Sequence, residues 1–324
     1  MKRWRLWLLI AVVIACACLP FITQNDYQVR ILFRIAIFAA LGLAWNLVGG
    51  FAGQLSLGHA AFFGLGAYGL AIFTARGVPM WISLLLAALV ATLFAAAIGR
   101  IAFRLRGPYF TLATIAFAEV LRLTATNLEI TGGAIGLDVP TLFAGRSFIR
   151  MMYFAAVILA LITFLINFAT SRSRPGYYLM AIREDEDTAS AVGIDTASYK
   201  LRALLISAFI TALGGALYAS SSQHIVPDDA FAMEISVQIA IIAMLGGAGT
   251  LAGPVAGAVL LLTASEVFKN QFREGHLLIY GVLIVLVVLF LPDGIVGGLQ
   301  RLLRRRNPPG SLPGSPDVQP EAGA

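Results

Sequence analysis

The sequence has no GxxxxGK[ST] phosphate loop, so it cannot hold a nucleotide by that route. It also lacks HExxH, a Ser-His-Asp grouping and paired carboxylates at a plausible site, and His59, His224 and His276 are scattered. No catalytic site, no metal site and no cofactor are therefore expected. Cysteine is confined to Cys16 and Cys18, within one apolar run, which gives neither a disulfide framework nor a metal cluster. Charge is scarce. Only 12% of the 324 residues are charged, against about 25% in soluble domains. The shortage runs the whole length, which excludes a soluble domain with one anchor. Strand-length alternation is absent too, against an outer-membrane barrel. Helices remain, because they pair every backbone polar group within one segment in hydrocarbon.

What is there is apolar: 59% of residues are hydrophobic. A span needs about 20 such residues. Runs lie at 6–22, 31–48, 81–103, 109–126, 151–170, 203–222, 234–245, 251–268 and 277–296. A Gly-rich stretch, 49–69, merges into a further run ending near Ala75. The expected fold is an all-α polytopic membrane bundle of about ten spans, with one domain over 1–306. The tail 307–324, rich in Pro, Gly and Ser, is expected to be disordered. Val13-Ile14-Ala15-Cys16 loosely resembles a lipoprotein cleavage box, but an uncleaved first span is expected.

The net charge is +6. The cations sit mainly at the ends of apolar runs, which reads as topology rather than nucleic-acid binding. With Lys2, Arg3 and Arg5 in the cytoplasm, about ten spans return Arg301, Arg304, Arg305 and Arg306 to the same side. Arg100, Arg104, Arg106 and the loop 171–200 also fall inside. Arg30, Arg34, Arg76, Arg146, Arg150, Lys269 and Arg273 fall outside, against the trend.

Three features carry chemistry. Glycines crowd 49–69 and 246–257, serving close helix packing or a break that lines a path. Asn46, Gln54, Ser56 and His59 favour the path reading for the first stretch, because polar groups facing lipid are costly; Gly246 and Gly247 are candidates in the second. Glu119 and Arg122 lie about mid-span at i, i+3, either as a structural ion pair or in the solute path. The loop 171–200 is the long charged gap between apolar runs. Pro175-Gly176 breaks the preceding helix, and Ala181, Ile182, Ala189 and Val192 can form one small apolar face. Gly193 ends the following helix as a C-cap. Such a helix is a peg for a partner's groove.

The segment AIREDEDTASAVGIDTASYKLRALLISAFITALGGALYA resembles the coupling loop and next span of branched-chain amino-acid ABC importer permeases, the LivM/LivH group. WNLVGGFAGQLSLGHAAFFGLGAY, RGPYFTLATIAFAEVLRLTATNLEITGGAIGL and MLGGAGTLAGPVAGA resemble its other blocks, over 45–268. TGGAIGL and the extra N-terminal span favour the LivM-like subgroup; urea-type importer permeases share these blocks. The resemblance implies a type II importer arrangement in an inner membrane, with both termini cytoplasmic. The implied partners are a second, LivH-like permease, two cytoplasmic ATPases that bind the ATP, and a periplasmic solute-binding protein. Coupling would then fall on Ala181, Ile182, Arg183, Glu184, Asp185, Ala189, Ala191, Gly193 and Ile194. The solute would be a branched-chain or related small neutral amino acid, or alternatively urea or a short amide. An ion-coupled secondary transporter is the remaining alternative, with Glu119 as its deep acidic candidate.

Overall fold

The computed structural model describes residues 25–139 and 146–271, with short pieces at 19–20, 281 and 294–295. The tail 307–324, most of the runs 6–22 and 277–296, and both termini lie outside the described residues. The helices are α1 (Asp26–Trp45), α2 (His59–Ala75), α3 (Met80–Ala102), α4 (Pro108–Asn127), α5 (Arg146–Ser171), α6 (Arg174–Glu184), α7 (Glu186–Ala191), α8 (Thr196–Ser222), α9 (Pro227–Ala230), α10 (Met233–Gly247) and α11 (Gly253–Gln271).

Eight expected runs fall inside the described region, and each is helical. Five segments are long and apolar enough to cross a membrane: Asp26–Phe51, Met80–Ala102, Ser147–Ser171, Thr196–Ser222 and Pro227–Gly247. Of the other three, α2 is apolar but short, and α4 and α11 carry too many polar residues. The described part of the chain is thus a helical bundle with five apolar span candidates, and a count of about ten is not reached within it.

α8 and the Asp26–Phe51 segment form the centre. In their apolar windows 72% and 78% of residues are buried, against 39% in α3 and 28% in α5. Glycine makes this centre possible. A Cβ on Gly66 of α2 would stand 2.0 Å from the Ala212 carbonyl oxygen of α8. One on Gly215 of α8 would stand 2.1 Å from that of Phe63. The two helices therefore meet backbone to backbone, as small residues allow in membranes.

The Gly-rich stretch is where the first long helix breaks. α1 widens into a π turn at Asn46–Phe51, and the chain then runs irregularly through 52–58 before α2 begins. Irregular backbone at this depth must find partners. The Thr111 hydroxyl donates to the Leu55 carbonyl at 2.7 Å, the Leu57 N–H donates to Thr114 Oγ1 at 3.2 Å, and Trp45 Nε1 donates to the Ser56 carbonyl at 2.8 Å.

Among the described residues one strand pair interrupts the helices. Leu137–Asp138 (β1) pairs antiparallel with His224–Ile225 (β2). Two residues per strand are too few to leave an alternating pattern. This strand pair lies at the opposite end of α8 from α6 and α7.

Candidate functional site

The α6–α7 end is built as a braced peg. Ser173 caps α6, accepting from the Gly176 N–H at 3.3 Å, with Pro175 in the first turn. Leu179 and Ile182 turn inward and are buried. Asp185 interrupts the run in an extended conformation (φ −159°) and caps α7, accepting from the Thr188 N–H at 2.7 Å. Hydrogen bonds from Thr188 hold its carboxyl below the usual range. The single helix expected between Pro175-Gly176 and Gly193 is therefore two, because Asp185 satisfies the new N-terminus better than it continues the old helix.

α7 ends at Gly193, whose φ is +90°. The Gly193 N–H donates to the Ser190 carbonyl and the Ile194 N–H to that of Ala189, at 3.0 and 3.1 Å. This is a Schellman stop. The expected apolar face of Ala181, Ile182, Ala189 and Val192 divides. Ile182 and Ala189 are buried, while Val192 is 73% exposed. It is the C-cap residue of α7, one position before the Gly193 turn, where the chain leaves the helix face. Glu184, Ala191 and Gly193 are exposed, and Ala181 and Ile194 are half-buried.

Two cations brace the peg against the helices behind it, Lys200 buried and Arg183 exposed. Lys200, 1% exposed, donates from Nζ to Glu186 Oε1 at 2.5 Å and lies 5.4 Å from the centre of the Phe103 ring. Arg183 Nη1 donates to the Gly50 carbonyl at 2.8 Å, on the π turn of α1. Its stem packs over Gly53, where an added Cβ would come within 2.9 Å of Arg183 Cγ. An added Cβ on Gly249, in the α10–α11 turn, would come within 2.4 Å of Arg183 Nη1.

Behind Arg183 lies a buried amide knot. Asn46 Oδ1 accepts from the Gly249 N–H at 2.7 Å. Its Nδ2 donates to Asn167 Oδ1 and to the Thr250 carbonyl, both at 3.1 Å. Asn167 Nδ2 donates to the Leu43 and Thr163 carbonyls at 2.9 and 3.0 Å. Four helices, α1, α5, α10 and α11, are joined here, and α6 is attached through Arg183.

His59 belongs to a second knot. Its Nδ1 and Nε2 meet Ser56 Oγ at 3.2 Å and Ser207 Oγ at 2.8 Å, and the Ala60 N–H donates to Ser236 Oγ at 2.7 Å. Asn46, Ser56 and His59 have no exposed surface; Gln54 is half-buried, with Nε2 on the Ala52 carbonyl at 3.3 Å. A Cβ on Gly246 would stand 1.7 Å from the Gly253 carbonyl oxygen, a contact between packed backbones. Gly247 sits in the turn beside it with φ +123°.

Glu119 and Arg122 pair with each other through two bonds, at 2.6 and 3.0 Å. Arg122 also bonds Asp228 in α9. That contact puts the pair toward the strand-pair end of α4 rather than at mid-span.

Residues 27–288 match the family described as branched-chain amino acid transport system, permease component. The chain belongs to this family. It is 31% identical to the LivM high-affinity branched-chain amino acid permease protein of Salmonella typhimurium, over 91% of this chain and 75% of that one. LivM of Escherichia coli is 29% identical, over 92% and 76%. BraD of Pseudomonas aeruginosa is 26% identical, over 80% and 91%. Among solved structures, PsaBC from Streptococcus pneumoniae in complex with Fab aligns at TM-score 0.48 and 15% identity, over 91% of this chain and all of that chain.

In this permease, residues drawn from two separate expectations meet in one joint. Arg183 was assigned to the peg, while Asn46, Gly246 and Gly247 were assigned to the glycine-rich stretches. Sequence reasoning missed Asn167 and Lys200, and placed Gly249 only within the second glycine-rich stretch. A lone Asn inside the apolar run of α5 was the available signal for Asn167. Nothing in the local pattern marks Lys200 as buried. The joint contains no nucleophile and no acid–base pair. It can transmit a displacement from α6 to the ends of four helices.

Proposed function

We propose that this permease is the membrane subunit of an ABC importer in an inner membrane, driven by two cytoplasmic ATPases. It pairs with a second permease and receives solute from a periplasmic binding protein. The solute is a branched-chain or related small neutral amino acid, the substrate named for the LivM and BraD relatives. The α6–α7 end is cytoplasmic and is the docking peg for an ATPase. One observation carries this reading. The peg is braced on its inner side by Arg183, Lys200 and Ile182, yet it presents the apolar Val192 to solvent at its tip. An exposed apolar tip on a rigid base suits a partner's groove.

The buried Asn46, Ser56 and His59 act here as joints between helices, and the peg drives the joint at Asn46. The test is Val192→Arg in the full importer. The permease should still reach the membrane and run as a monodisperse species, while co-purification of the ATPase and leucine uptake are both lost. Full co-purification with normal uptake would refute the docking assignment.

A further inference from the structure

Two of the arginines that fall on the outer side against the charge trend line one cavity. Arg30 and Arg34 are four residues apart on α1 and share a face. They border a cavity of about 560 Å³ where the starts of α1 and α5 meet the end of α8. Phe33, Phe148 and Met152 supply apolar lining, and Tyr218 and Gln223 border it from α8. Gln223 is the non-glycine residue with positive φ (65°) among the described residues. This left-handed turn ends α8 beside the cavity. Among the described residues, neither guanidinium has a hydrogen bond or ion pair. Both residues are exposed.

Depth decides what such a pair meets. The helix from Asp26 to Phe51 has 26 residues, about 39 Å at 1.5 Å per residue. The hydrocarbon core is about 30 Å thick. Arg30 and Arg34, about 6 and 12 Å along from Asp26, therefore lie near the headgroup boundary. Planar guanidinium forks match an oxyanion in two-point fashion.

We propose that this cavity holds the headgroup of a phospholipid, its phosphate on Arg30 and Arg34 and the first carbons of its tail against Phe33, Phe148 and Met152. The site is separate from the peg and goes beyond the transport reading. A free amino acid offers a carboxylate of similar chemistry, so the test includes both ligands.

The full chain is purified in detergent, delipidated, and titrated by native mass spectrometry with phosphatidylethanolamine and, separately, with leucine. Arg30→Gln/Arg34→Gln should weaken lipid binding about tenfold or more, the loss of at least one charge-assisted bond. Arg76→Gln, at the end of α2 and away from the cavity, should leave it unchanged. Should the glutamine pair fail to run as a monodisperse species, Arg30→Lys/Arg34→Lys decides, because it keeps charge but loses the forks; it should bind lipid more weakly than the native chain. Native affinity in a folded glutamine pair or in the lysine pair would overturn the proposal. So would leucine binding that disappears with these arginines while lipid binding stays.

Discussion

The two ends of the permease differ in where their bonds lie. At the α6–α7 end, buried amides reach backbone groups, Asn46 on the Gly249 N–H and Thr250 carbonyl and Asn167 on the Leu43 carbonyl, and an ion pair, Lys200 with Glu186, is drawn inside as well. Arg183 on the Gly50 carbonyl and the exposed Arg106–Asp187 pair add to it nearer the surface. At the strand-pair end, charged side chains pair near the surface: Arg122 with Glu119 and Asp228, His224 with Asp138. Buried amide bonds do not titrate, and salt barely screens them. Exposed ion pairs contribute about 0–1 kcal/mol each and weaken with salt. Rigidity is thus concentrated where the proposed peg attaches, and the strand-pair end is left adjustable.

The largest effect should come from the centre that both ends share. Gly66→Val puts a branched side chain against the Ala212 carbonyl, which already stands 2.0 Å from an added Cβ. Backbone cannot yield as a side chain can, so a loss of about 4 kcal/mol or more is expected. The check is the monodisperse, heat-resistant fraction in detergent, which should collapse. Asn46→Ala comes next. It strands the buried Gly249 N–H and unpairs Asn167 Oδ1, costing about 2–3 kcal/mol. The thermal midpoint should fall equally at every pH and salt concentration. A drop that changes with either would erase the contrast between the ends.

How much of this was legible differs along the chain. The helices were readable because apolar runs of this length have one solution in a bilayer. The stop at Gly193 was readable because a glycine after a helical stretch takes a left-handed turn. The joint was not. Arg183 and Gly50 are 133 positions apart, and no local pattern announces that a peg residue will land on a π turn. Polar residues among glycines suggested a path lining; in the structure Asn46 and His59 make interhelix bonds that no local pattern announces. The strand pair was missed because two-residue strands carry no period.

Gly193→Val sharpens the comparison with a smaller structural cost and a larger functional one. Nothing lies within 4 Å of an added Cβ at Gly193, so crowding plays no part. The cost is the left-handed backbone alone, about 1–2 kcal/mol for a branched residue. The change should leave the joint at Asn46 intact while loosening the peg's tip. In the reconstituted importer, ATP hydrolysis should continue and leucine uptake should fall several-fold. Gly193→Asn, which tolerates the turn, should recover most of it. Unaltered uptake in the valine variant would mean that the tip's geometry does not transmit the stroke.

The smallest effect belongs to His224, and its sign separates the two ends most cleanly. Its Nδ1 faces Asp138 Oδ1 at 2.7 Å and its Nε2 faces the Ile135 carbonyl at 3.1 Å. Both partners accept, so both ring nitrogens must donate, and the imidazolium is favoured. The Asp138 hydrogen bond, reinforced by the Ile135 carbonyl, therefore raises the His224 pKa above its ordinary value, although desolvation opposes this. A raised folded pKa stabilises fully below the unfolded value of about 6.5 and is lost as pH climbs through the folded one. The gap in thermal midpoint between the native chain and His224→Gln should be widest near pH 5 and close by about pH 9. High salt should narrow it at low pH. Asn46→Ala, measured across the same range, should give a flat line. A gap that grows toward high pH would show that His224 is held neutral, and the strand-pair end would then be fixed by bonds that do not need its charge.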